Sequence, residues 1–121
     1  SCGGEPHFRF LGRVGQRLGL ATGVQLTGLQ LNSWLDSLDV PISRAELTVD
    51  HRSDGRDHIS ILLGMPDRRI DEQHATATFE NITPDVADAV GLGYVDVGLS
   101  CVQSPPAAKR LLKVAERPWR L

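Results

Sequence analysis

The sequence has few cysteines, few aromatic residues and no long apolar run. Its two cysteines, Cys2 and Cys101, are too far apart for a metal-binding motif, and a disulfide between them is allowed but not implied. No apolar stretch approaches the roughly 20 residues of a membrane-spanning helix. Phosphate-binding loops, nucleophile elbows and His-Glu-x-x-His motifs are missing as well. We therefore expect no transmembrane segment, no metal and no cofactor.

Only six aromatic residues occur among 121, and Trp119 alone lies near a group of cations, which gives little support for base stacking. The hydrophobic fraction of 40% and the charged fraction of 23% are typical of a globular chain. A chain of this length fits one compact domain, and we assign residues 1–121 to a single α+β domain.

Charge is segregated along the chain. Residues 32–100 hold 13 acidic and five basic groups, whereas both terminal segments are net positive. Either the ends pack against the acidic body, or they form a patch for an anionic partner such as nucleic acid. The candidate binding residues of that patch are Lys109, Arg110, Lys113, Arg117, Trp119, Arg13 and Arg17.

Hydrophobic periodicity predicts the order of the elements. Residues 1–23 read as a glycine-rich N-terminal arm or weak helix, followed by a strand from Val24 and one or two helical turns within 32–41. Alternation predicts strands over 74–82 and 94–102, and Thr83, Pro84 and Gly91 mark a helix between them. Residues 104–117 read as a basic amphipathic C-terminal helix. These elements predict a small, mostly antiparallel sheet of about five strands, with two or three helices packed on one face.

The segment TVDHRSDGRDHISI, residues 48–61, concentrates histidine and aspartate around an Asp-Gly turn. A three-residue loop pairs Val49 with Ile59 and keeps one face of the hairpin apolar, whereas a two-residue loop scatters apolar groups over both faces. We therefore predict the three-residue loop. It sets His58 opposite Asp50 and His51 opposite Asp57, with the two histidines on opposite faces.

Function is predicted less sharply than fold. We expect a non-catalytic module that acts through protein–protein contact or self-association, with a homodimer as the simplest form. One alternative is a binder of nucleic acid or an anionic surface. The other is a small enzyme or metal protein, with the weak catalytic candidates His51, His58, Asp50, Asp57 and His74. We expect a cytoplasmic protein, or a lipoprotein or exported form if Cys2 follows a cleaved signal.

Overall fold

The computed structural model describes residues 7–10, 17–20, 23–52, 54–67 and 70–117, with only the backbone for residues 7–10, 17 and 117. The strands are β1 (His7–Phe10), β2 (Arg17–Gly19), β3 (Gln25–Thr27), β4 (Arg44–His51), β5 (Asp57–Met65), β6 (Val95–Gln103) and β7 (Leu111–Arg117). The helices are α1 (Gly28–Ser37), α2 (Glu72–Glu80) and α3 (Pro84–Gly91). This confirms the predicted α+β class.

A five-stranded sheet has the order β1-β7-β4-β5-β6, and β2 and β3 form a separate two-stranded sheet. The larger sheet is mixed. Two neighbouring pairs are antiparallel, namely β1 with β7 and β4 with β5. The other two pairs are parallel, namely β4 with β7 and β5 with β6. The sheet therefore has more parallel pairing than we predicted. β6 follows β5 through a crossover that contains α2 and α3, and β7 pairs with β4 rather than with the preceding strand β6.

The core lies on one face of the large sheet. Alternate side chains of the central strands, such as Leu47, Ile59 and Val114, are fully buried there. The helices contribute Leu35, Phe79 and others to the same cluster. The structure thus confirms a sheet whose helices pack on one face. None of the helices in the described part of the chain is long and apolar enough to cross a membrane.

Threonine side chains cap the N-termini of the first and last helices. Thr83 caps α3 by accepting a hydrogen bond from the Val86 amide at 3.2 Å, as predicted. Helix α1 begins earlier than the helical turns that we predicted within 32–41. Thr27 caps the helix in a reciprocal capping box with Gln30. Because the helix begins directly after Thr27, the strand predicted from Val24 is limited to the three residues of β3.

The predicted strand over residues 74–82 is wrong, because this segment forms helix α2. Asp71 caps the helix by accepting from the amides of Gln73 and His74. Ala75 and Phe79, four residues apart, face the core, while Ala77 is exposed. A spacing of four is the helical repeat, and the apparent alternation of alanine and threonine was coincidental.

The predicted helix over residues 104–117 is also wrong, because residues 111–117 form strand β7. Leu112 and Val114 are buried, and Leu111 is 46% exposed, which is the alternation of a strand. β7 lies between β1 and β4 and pairs with both. These ladders outweigh the helix propensity of the segment, as tertiary context often does.

The N-terminal arm is extended where it is described, since β1 and β2 are strands rather than a helix. Residues 1–6, 11–16 and 21–22 lie outside the described residues.

Candidate functional site

The hairpin of β4 and β5 has the register predicted from the sequence. Val49 pairs with Ile59, Asp50 with His58 and His51 with Asp57. Gly55 adopts a left-handed backbone with φ of 82°, and the Arg52 amide donates to the Arg56 carbonyl at 2.9 Å across the loop. The two histidines therefore lie on opposite faces of the sheet.

His51 lies on the helix-covered face, at the end of the core. Its Nδ1 donates to Oδ1 of Asp57 at 2.7 Å, and the Asp57 carboxylate is fully buried. On the other side of the ring, Nε2 lies 3.7 Å from Oε1 of Glu116 on β7. His51 thus bridges carboxylates from two other strands. The contact with the buried carboxylate orients the ring so that Nε2 faces β7.

His58 lies on the uncovered face, opposite Asp50 as predicted, and it has a further partner that the sequence did not reveal. Its Nδ1 donates to Oδ2 of Asp96 on β6 at 2.9 Å. The parallel pairing of β5 with β6 brings Asp96 alongside His58.

His74, the remaining histidine candidate, lies in the first turn of α2 on the exposed side. Among the described side chains, no group of three histidine, cysteine, aspartate or glutamate residues is arranged to hold a metal ion. The five weak catalytic candidates therefore separate into the pair of His51 and Asp57, the ladder partners Asp50 and His58, and an isolated His74.

The basic candidates do not form one described patch. Lys109 is exposed and Lys113 is half-buried. Arg110 is held internally: its guanidinium donates to Asp36 Oδ1 at 2.8 Å, to Asn32 Oδ1 at 3.2 Å and to the Ile42 carbonyl at 3.4 Å. This arginine ties the start of β7 to α1, as expected if the basic ends pack against the acidic body.

The structure describes the other basic candidates only in part. Arg17 and Arg117 lie on strands β2 and β7, with their backbones described. Arg13 and Trp119 lie outside the described residues, as does Cys2. Cys101 is buried on β6.

The uncovered sheet face carries a shallow groove of about 300 Å³ across β4, β5 and β6. Its lining is mostly small or hydroxyl-bearing: Glu46, Thr48, Ser60, Ile61, Leu62, Gly98 and Ser100. Beside it, β6 is an edge strand nine residues long. Sequence analysis missed this surface, because it depends on strand order; its only local signal was the small residues Gly98 and Ser100 among the alternating apolar positions.

The chain matches no protein-family model, and no curated protein is significantly similar to it. The geometry of the described residues is therefore the basis for assigning a function.

Proposed function

We propose that this chain is a non-catalytic binding module that pairs with another protein strand along the outer edge of β6. The observation that carries the proposal is the incomplete burial of this edge. On the core side, Val97 and Leu99 are only half-buried. Their neighbours in the ladder, Ile59 and Ile61, are 0% and 2% exposed. A strand added outside β6 would cover this apolar row.

The composition of β6 supports the same proposal. Natural edge strands are usually protected by lysine, proline, bulges or short length. β6 has nine residues with neither lysine nor proline, and Asp96 is its sole charge. Within the described part of the chain, no strand pairs with its outer side. Strand addition would supply backbone hydrogen bonds, and the apolar row would supply burial.

A second copy of the chain is the partner we propose first. In an antiparallel two-fold pair centred on Leu99, each Leu99 meets its counterpart, and Val97 lies opposite Cys101 of the other copy. Asp96 then lies opposite Val102, so the identical carboxylates do not meet. An edge-to-edge dimer of this kind joins the two sheets into one and leaves the helices of both copies on the same side.

Sedimentation velocity over a range of protein concentrations tests this proposal. Gly98 and Ser100 would lie opposite each other across the two-fold axis, so lysine at both positions sets like charges directly face to face. There is room for the change, since a Cβ at position 98 would lie 3.7 Å from the nearest atom, on His58. We expect the wild type to dimerise as concentration rises and the Gly98→Lys, Ser100→Lys double variant to stay monomeric.

The matched control is Ser60→Lys, Leu62→Lys, which adds the same charges at the adjacent ladder positions of the interior strand β5. This control should dimerise like the wild type. A wild type that stays monomeric at every concentration would reject self-association. Equal loss of the dimer in both double variants would locate the contact on the sheet face rather than at its edge.

A second candidate is a binder of nucleic acid or another anionic surface, and the strand order favours it. β1 lies next to β7, so the two net-positive terminal segments meet at one edge of the sheet, opposite the β6 edge. Filter binding of RNA and DNA at two salt concentrations tests it, since cation–phosphate contacts weaken steeply with salt. Lack of retention at low salt would reject this candidate.

A further inference from the structure

Two large hydrophobic side chains are exposed just before β6. Leu92 is 71% exposed and Tyr94 is 47% exposed, and both lie at the corner between α3 and β6. The corner is ordered, since the Tyr94 amide donates to the Ala89 carbonyl at 2.9 Å and Gly93 adopts a left-handed backbone with φ of 82°. Because the turn already has one conformation, burying these side chains against a partner costs less conformational entropy than it would on a loose loop.

Exposed prolines follow the other end of β6. The Ser104 amide donates to the Met65 carbonyl of β5 at 2.8 Å, so the edge of the sheet continues past Gln103. Pro105 and Pro106 come next, and both are exposed. A residue that precedes proline favours an extended backbone, which applies to Ser104 and to Pro105. The chain therefore runs on from β6 and presents two rigid apolar rings.

The backbone hydrogen bonds at the two ends show which polar groups of β6 point outward. The Tyr94 carbonyl accepts from the Asp57 amide at 2.8 Å, and the Ser104 amide also bonds to β5. The even-numbered residues of β6 thus direct their backbone groups toward β5, and odd-numbered residues such as Val97 and Leu99 direct theirs away from it. A two-fold pair centred on Leu99 aligns odd-numbered residues with odd-numbered residues, so these outward groups can bond across the axis.

We propose that this two-fold pair is closed at each end by an apolar clamp, in which Leu92 and Tyr94 of one copy pack against residues 104–106 of the other. The clamp rests on the edge pairing proposed above. In the register centred on Leu99, Tyr94 lies opposite residue 104 of the second copy, and Leu92 lies opposite residue 106. Diagonal neighbours are within reach of an aromatic ring, so Tyr94 also reaches Pro106 of that copy. Aromatic side chains are the usual partners of exposed proline rings.

The edge of β6 is small for a stable dimer by itself. Nine residues at about 3.4 Å each span roughly 30 Å, and an edge about 10 Å deep then covers roughly 300 Å² on each copy. Stable interfaces commonly bury about 800 Å² on each partner. The clamp enlarges the contact at both ends, because each copy contributes its hydrophobic pair at one end and its prolines at the other.

Sedimentation velocity of a Leu92→Ser, Tyr94→Ser double variant tests the clamp. We expect its dimer dissociation constant to rise at least about tenfold, because both side chains are lost at both ends of the pair. The matched control is Leu29→Ser, Leu111→Ser, which removes the other two exposed large hydrophobic residues of the described chain, on α1 and β7. This control should dimerise like the wild type.

A mixing experiment tests which residues meet. Tyr94→Lys and Pro106→Glu should each weaken their own dimers, because a charge replaces the apolar contact at both ends. Mixed at low salt, the two variants can form a pair with opposite charges facing at one end and the original contact at the other, so the dimer fraction should exceed that of either variant alone. Tyr94→Lys mixed with Pro106→Lys should show no such gain.

The outcomes separate the clamp from the edge pairing. Dimers in the wild type and in Leu92→Ser, Tyr94→Ser, with none in Gly98→Lys, Ser100→Lys, would reject the clamp and leave the edge pairing in place. The clamp is also rejected if Pro106→Glu and Pro106→Lys give the same result on mixing. A wild type that is monomeric at every concentration rejects both proposals. Urea midpoints equal to that of the wild type show that each variant is folded.

Discussion

The helical conformation of α2 predicts how lysine at positions 75 and 77 should affect stability, and a strand over the same residues would predict a different result. Ala75 is fully buried and Ala77 is exposed. Residues two apart lie on the same face of a strand but about 200° apart around a helix. Lysine at each position therefore discriminates between the two conformations, with the same change of residue at two neighbouring sites.

The expected magnitudes follow from the burial of each site. Lysine at position 75 would overfill a packed core and would force its charge to leave water or the helix to shift. Overpacking alone costs about 1 to 3 kcal/mol, and the desolvated charge adds to it. We expect Ala75→Lys to lower the free energy of unfolding by at least about 3 kcal/mol, a large part of the roughly 5 to 15 kcal/mol of a typical domain. Ala77→Lys should change it by no more than about 0.5 kcal/mol.

Urea denaturation followed by circular dichroism measures both values. The midpoint and slope of each transition should be compared with the wild type, since a changed slope would signal altered compactness rather than altered stability. Similar, large losses in both variants would refute the helix, because they would mean that both alanines face the core.

Two further predictions concern the hairpin and the start of β7. Gly55→Ala should lower the free energy of unfolding by about 1 to 2 kcal/mol, because an alanine must then adopt the left-handed φ of 82°; an unchanged urea midpoint would contradict the turn geometry. Arg110→Met should lower the free energy of unfolding by about 1 kcal/mol, because it removes the hydrogen bonds to Asn32 and Asp36 while keeping an apolar stem. In a double-mutant cycle with Asp36→Asn the two losses should not add, and full additivity would show that the contact contributes nothing.

The sequence was most informative where both partners of a contact lie in one short segment. The register of the β4–β5 hairpin could be predicted because a slip of one residue moves apolar side chains such as Ile59 to the wrong face. Helix α3 could be predicted because Thr83 and Pro84 act locally. Both predictions needed no knowledge of the remaining fold.

The sequence was misleading where distant segments decide the conformation. Residues 111–117 form a strand because β1 and β4 flank them in the sheet. The local sequence pattern does not indicate these neighbours. For the same reason the contacts of His58 with Asp96 and of His51 with Glu116 could not be foreseen. Each depends on a parallel neighbour supplied from a later part of the chain. Only a prediction of strand order would have found them.

The interior position of β7 has a consequence for how the chain folds. β1 and β4 lie on either side of this strand, so neither has its full set of ladder hydrogen bonds until the segment Leu111–Arg117 is in place. The segment Leu111–Arg117 must therefore be synthesised before the sheet can form. Contacts between such distant segments raise the contact order and slow folding, because the entropy of a long loop is lost before the pairing is gained. During that interval the apolar sides of β4 and β5 are exposed, and the nascent domain is then most prone to aggregate.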